Sequence, residues 1–156
     1  VTRIVGVDPG LTGALALITL GGHLERIVDM PVVDGTVDAY TLTGILADWG
    51  SVDRVVIERQ QAMPRQGVAS TFKTGVNYGR ILGVCAALER PVVHVRAATW
   101  TKQLGVGADK EQHRRRAQDT WPAWSSHFKR VKDDGRADAA LIALWGWQQR
   151  VKGAAA

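Results

Sequence analysis

The chain has 156 residues, 46% of them hydrophobic, which is enough for one buried core and too apolar for a disordered segment. No apolar run reaches the length of a membrane span, no secretory leader pattern opens the chain, and the lone Cys85 excludes an intramolecular disulfide and a cysteine metal cluster, so a reducing cytoplasm is the expected setting. The net charge of +5 sits in residues 96–136, where ten Lys/Arg face five Asp/Glu, and such a surplus suits either a polyanion such as nucleic acid or a solvated helix face.

"RIVGVD" is short and β-branched and predicts a buried strand ending at Asp8. "PGLTG" predicts a turn, "ALALITL" a second strand, the glycine pair 21–22 a tight hairpin, and "LERIVDMPV" a third strand. "VDAYTLTGILADWG" predicts a helix with Leu42, Ile45, Leu46 and Trp49 on one face and Gly50 at its end. "DRVVIE" is a strand that ends on Glu58, followed by the loop "QQAMPRQG". Residues 70–89 form the next helix, "PVVHV" a strand, and "AATWTKQLGVG" a short helix with a loop. Asp109 with Gln112 suggests a capping box opening "KEQHRRRAQDTW", which Pro122 ends. "RADAALIALWGWQQRV" is the last helix. The order β-β-β-α-β-α-β-α-α, without repeats or a linker, argues for one domain over residues 1–156, a mixed sheet flanked by helices.

The acids are the informative residues. Asp8 and Glu58 each end an apolar strand, and they lie side by side if those strands are central neighbours. Either alone reads as an ordinary strand end. Asp138 sits inside the apolar "ADAALIAL", past the first helical turn, where capping does not explain it and aspartate is a poor helix former. Asp134 lies four residues earlier and Asp133 beside it; capping competes with catalysis for Asp134 and is favoured for Asp133. Carboxylates gathered in a semi-buried pocket repel one another, and Mg²⁺ or Mn²⁺ relieves that repulsion through hard oxygen ligands. Carboxylate-only sites in basic surroundings suit two-metal phosphodiester chemistry.

The ordered set "VGVDPGLTGALAL", "VVIERQ", "TWTKQLGVGADKEQ" and "DGRADAALIALWG" resembles the RuvC-type Holliday junction resolvases, phage-encoded members in particular, from about Arg3 to Trp147. The resemblance implies a ribonuclease-H-like mixed five-stranded sheet flanked by helices, a Mg²⁺-dependent site in which Mn²⁺ substitutes, and a homodimer. Such a dimer nicks opposing strands of a four-way DNA junction in a bacterial or phage-infected cell, with no membrane involved. It assigns Asp8, Glu58 and Asp138 as catalytic metal ligands. The third acid of the family falls on Gly135, so Asp134 is the nearest substitute as catalytic residue and ligand. Lys102 and Lys110 match basic catalytic positions near the scissile phosphate, although a plain phosphate-binding role for Lys102 is an equal reading. The expected DNA contacts are Arg65, Lys73, Lys102, Lys110, Arg114 and Arg115; Arg114, Arg115 and Arg116 cannot all share one helix face.

Two further features stand out. Bacterial members carry a base-stacking aromatic soon after the second acid, whereas this chain has none before Phe72, which suggests relaxed sequence selectivity and acceptance of other branched DNA. Gly75, Gly79 and Gly83 recur every four residues and imply close approach by another backbone, either the chain's own sheet or the same helix of a second subunit. The tryptophans other than Trp124, which has no assigned place, read as packing residues, with Trp100 anchoring the loop that carries Lys102, and His94, His113 and His127 as structural or surface residues. Three other readings compete: an actin-like ATPase, which the short chain disfavours, a non-catalytic branched-DNA-binding module, and an RNA-directed nuclease on the same fold.

Overall fold

In the computed structural model, which describes residues 2–154, β1 (Ile4–Asp8) lies at the centre of a five-stranded sheet because its residues are apolar on both faces. It pairs antiparallel with β2 (Ala14–Thr19), which pairs antiparallel with β3 (His23–Asp29). Gly21 and Gly22 turn the chain between those two strands with φ of 79° and 78°, a conformation that side chains rarely adopt. The small hairpin of β4 (Val32–Val33) and β5 (Thr36–Val37) turns at Asp34 and Gly35, and Asp38 then caps α1 (Ala39–Asp48) by accepting from the amides of Tyr40 and Thr41. On the other side, β1 pairs parallel with β6 (Arg54–Glu58). After α2 (Val68–Ala87), β7 (Val92–Val95) pairs parallel with β6. The order β3-β2-β1-β6-β7 is the expected mixed sheet.

Helices α3 (Ala97–Leu104), α4 (Lys110–Thr120) and α5 (Asp134–Ala154) follow, with 3₁₀ segments between α4 and α5. The two faces of the sheet bury separate apolar clusters. Val5, Val7, Val55 and Ile57 pack with Leu42, Leu46, Ile81 and Val84 beneath α1 and α2. Ile4, Ala16 and Val56 pack with Trp100, Phe128 and the alanine-rich side of α5. No helix among the described residues is long and apolar enough to cross a membrane.

Some boundaries differ from expectation. The third strand stops at Asp29, because Met30 and Pro31 lead into the β4–β5 hairpin, whose two-residue strands are too short for a periodicity argument. Helix α2 starts at Val68 rather than Ser70, with Gly67 as its cap. Helix α5 starts at Asp134 because Asp133 caps the preceding turn, accepting from the Arg130 amide at 2.8 Å. Asp109 caps α4 through the Glu111 amide at 3.0 Å, and Gln112 makes no return bond among the described residues.

Helix α5 sits directly on β1. A Cβ built at Gly6 would stand 2.2 Å from the Ala139 carbonyl oxygen and 2.4 Å from the Ala143 nitrogen, so nothing larger than glycine fits. Gly6→Ala should therefore cost about 3 kcal/mol or more through overpacking. Gly44→Ala, on an exposed α1 position with open space around it, should stabilise by about 0.5–1 kcal/mol. Urea denaturation of both variants checks this; a Gly6→Ala loss below that of an ordinary surface change would unseat α5 from β1.

Candidate active site

The parallel register that pairs Val7 with Ile57 brings the next residues, Asp8 and Glu58, to the ends of adjacent central strands. Alternation puts Asp8 on the face of Ile4 and Gly6, and Glu58 on the face of Val56. That is the face α5 covers. Asp138 lies on α5 one residue before Ala139, whose carbonyl abuts Gly6, and is 3% exposed. Three acids that are 50 and 80 residues apart in the chain thus converge at one end of the sheet.

Helix α4 supplies the cations. The Lys110 ammonium donates to Asp138 Oδ2. One turn further on, His113 Nδ1 lies 2.7 Å from Asp138 Oδ1 and its Nε2 lies 2.8 Å from the Gly107 carbonyl oxygen. The Gly107 carbonyl only accepts, so Nε2 carries the proton it donates, and the Asp138 carboxyl beside Nδ1 favours the charged ring. Burial opposes that charge, but the bonds to Asp138 and Gly107 outweigh it and hold His113 above the usual histidine pKa. For Lys110, burial is likewise outweighed by the Asp138 bond and by the charges of Asp138, Asp8 and Glu58. Glu58 is oriented by Trp100, whose indole N–H donates to Oε2 at 2.8 Å.

Asp8 carries the strain of this crowding. Burial, then the charges of Asp138 and Glu58, push its pKa up to about 7, against the smaller opposing effects of the Gly10 amide and Lys110. Hard carboxylate oxygens are what Mg²⁺ and Mn²⁺ prefer, and neither Asp8 nor Glu58 has an ion pair among the described residues. No three His, Cys, Asp or Glu side chains among the described residues stand close enough to ligate one ion, since Asp138 turns its oxygens to Lys110 and His113. The donor chemistry fits a divalent cation, with Lys110 holding the compensating charge.

The other expected site residues scatter. Asp134 pairs with Arg114 and is not among the charges acting on Asp8. Asp133 is buried and bound by Arg130, whose bonds outweigh burial and hold its carboxyl below the usual range. At Gly135 a Cβ would stand 2.3 Å from the Thr12 carbonyl oxygen, so the loop after β1 leaves no room there for an acid. Arg115 pairs with Glu111 and Arg116 donates to the Leu104 carbonyl, so the three successive arginines go to three different partners. Lys102 and Arg65 are exposed without an ion pair among the described residues. Lys73 is exposed and lines a small cleft with Pro9, Gly10 and Thr74, next to the turn that follows Asp8.

Sequence reasoning missed His113 and the Glu58 bond of Trp100. The available signal was spacing: His113 follows Lys110 by three residues, which puts both on one face of α4. The other tryptophans pack as expected; Trp121 is buried against Phe128 and donates to the Gly22 carbonyl at 2.9 Å.

The sheet order, with acids ending two adjacent parallel strands beneath a long C-terminal helix, is an α/β architecture that solved RuvC structures share. The fold resembles that of RuvC from Thermus thermophilus in complex with a Holliday junction substrate, at a TM-score of 0.71 and 18% identity over 98% of this chain and 97% of that one. A second Thermus thermophilus RuvC structure gives 0.69 at 18% identity over 97% of each chain. The yeast mitochondrial Holliday junction resolvase Ydc2 gives 0.62 at 13% identity, over 97% of this chain and 82% of that one. No family model and no curated protein sequence matches the chain.

The Asp8 carboxyl predicts a pH signature. Its folded pKa of about 7 lies above the ordinary 3.8, so the folded protein holds a proton that the unfolded chain has lost in between. The associated stability is present below pH 4 and is lost as pH rises through 7. Asp8→Asn should exceed wild type by roughly 1–3 kcal/mol at pH 8 in chelator, with the gap closing toward pH 4. Denaturant titrations across that range check it; a gap independent of pH would contradict the crowding at Asp8.

Proposed function

We propose that the chain is a structure-specific endodeoxyribonuclease that resolves four-way DNA junctions by metal-dependent paired nicking. The observation that carries this reading is the convergence of Asp8, Glu58, Asp138 and Lys110 at one sheet end, on a fold shared with a RuvC solved on a Holliday junction. Asp8, Glu58 and Asp138 would hold Mg²⁺, or Mn²⁺ in its place. Such an ion polarises a phosphoryl oxygen and lowers the pKa of a bound water.

The protein side chains divide the remaining tasks. Trp100 fixes the Glu58 carboxylate in one orientation. His113 holds the Oδ1 of the buried Asp138, and Lys110 holds its Oδ2. Lys110, with half of its side chain exposed, is placed to swing its ammonium from Asp138 to the charge developing on a phosphate. Lys102 and Lys73 flank the acids as strand contacts. The loop after Glu58 presents Met63, which is 57% exposed, where an aromatic would stack on a base, and this favours relaxed sequence selectivity and other branched substrates.

A homodimer through α2 completes the reading. Gly75, Gly79 and Gly83 have nothing within 4 Å of a built Cβ, so the chain's own sheet is not what approaches them. Val68 and Phe72, on the same helix, are 88% and 75% exposed. A two-fold axis along this bare face would set two sites against two symmetric strands.

Two measurements test these statements. Asp8→Asn, Glu58→Gln and Asp138→Asn should each lower the rate of four-way junction cleavage in Mg²⁺ by at least about a hundredfold while sparing junction binding. Equal cutting of an RNA–DNA hybrid, or loss of binding with every substitution, would reject the assignment. In solution the wild type should sediment as a dimer and Phe72→Glu as a monomer; a monomeric wild type at tens of micromolar would reject the α2 interface.

A further inference from the structure

Most arginines of this chain are occupied. Arg114, Arg115, Arg130, Arg136 and Arg150 pair with acids. Arg3, Arg80, Arg90 and Arg116 donate to main-chain carbonyls. Arg26, Arg54, Arg59, Arg65 and Arg96 are not so engaged among the described residues, and of these Arg59 and Arg96 line one cleft together. Both are exposed, and among the described residues neither guanidinium has an acid or a hydrogen-bond acceptor.

Their position is set by the sheet. Glu58 pairs in register with Val95, and the Arg59 amide donates to the Val95 carbonyl at 2.8 Å, so Arg59 and Arg96 leave adjacent parallel strands side by side. Strands lie only about 4.8 Å apart, so the two side chains start from neighbouring backbone positions. Both line a cleft of about 520 Å³ together with Met63 and Glu58. Glu58 is the one acid lining that cleft, and its carboxylate is engaged by Trp100. The cleft floor is the first turn of α3, at Ala97 and Ala98, where no side chain caps the helix. Two guanidinium groups bordering one cleft, with its one acid engaged by Trp100, favour an anion there, and their planar forks match the oxygens of a phosphate.

We infer that Arg59 and Arg96 form a phosphate clamp for the DNA strand, seating the phosphodiester next to the scissile one on the Glu58 side of the acids. This rests on the nuclease reading above. The clamp does not touch the reacting phosphate; it fixes where along the strand the acids meet it.

The test uses the full-length chain and a fluorescent four-way junction, with binding measured in chelator across a salt series and cleavage in Mg²⁺. The Arg59→Gln/Arg96→Gln variant should bind more weakly, with a log-affinity against log-salt slope shallower by about one, and should raise KM more than it lowers kcat. The Arg59→Lys/Arg96→Lys variant, with both charges but no forks, should recover most of the slope and only part of the affinity. Arg26→Gln, on the opposite edge strand, should leave the slope unchanged. If wild type binds and cuts junctions while the glutamine pair keeps the wild-type slope and affinity, the clamp is wrong and the nuclease reading stands. If wild type binds no branched DNA, both fall. Unaltered melting temperatures in the lysine pair keep the comparison valid should the glutamine pair unfold.

Discussion

The structure turns on the mutual repulsion of three carboxylates gathered at one end of a sheet. In a setting of effective dielectric about 20, like unit charges 4 Å apart oppose each other by about 4 kcal/mol, a large fraction of the stability of a small domain. Lys110 and His113 answer that repulsion from α4, and both do so through Asp138. The same two bonds tie α4 to α5, so the arrangement that compensates the acids also docks the helix that carries the cations. Asp8 has neither bond, and its burial first, then the charges of Asp138 and Glu58, push its carboxyl pKa up to about 7.

Close packing decides which acids belong to the group. Helix α5 reaches β1 across Gly6 and meets the loop after β1 at Gly135, so its rotation and height are fixed by backbone contact on both sides. That seating puts Asp138 over the strand ends. It also fills the space at Gly135 with the backbone of Thr12 and Gly13, and turns Asp134 outward to Arg114. Which acids approach the strand ends is therefore a property of how the helix is seated and not of acid supply, since Asp133 and Asp134 are both close by in sequence.

The basic surplus is less uniform than its concentration suggests. Much of it is spent inside the molecule, on Asp133, Asp134, Glu111 and the Leu104 carbonyl. Among the cations without an ion pair in the described residues, Arg59 and Arg96 follow the carboxyl ends of β6 and β7, Lys102 lies on α3 and Lys73 beyond the Asp8 turn. Arg59 and Arg96 border the cleft that Glu58 also lines, and Lys73 borders the one beside Pro9 and Gly10.

Local pattern was enough to reveal the strands that end in Asp8 and Glu58, the α4 start at Asp109, and the abnormality of Asp138. It did so because burial alternation, helix capping and the misfit of an acid in an apolar helix are local and readable over a few residues. The β4–β5 hairpin escaped because two-residue strands have no periodicity. Only the tertiary structure decided that Asp134 pairs with Arg114, that His113 and Trp100 hold the acids, that Gly135 admits no side chain and that Arg59 stands beside Arg96. Each of these depends on which distant elements touch, and strand register and helix seating are set by the packing of the whole core.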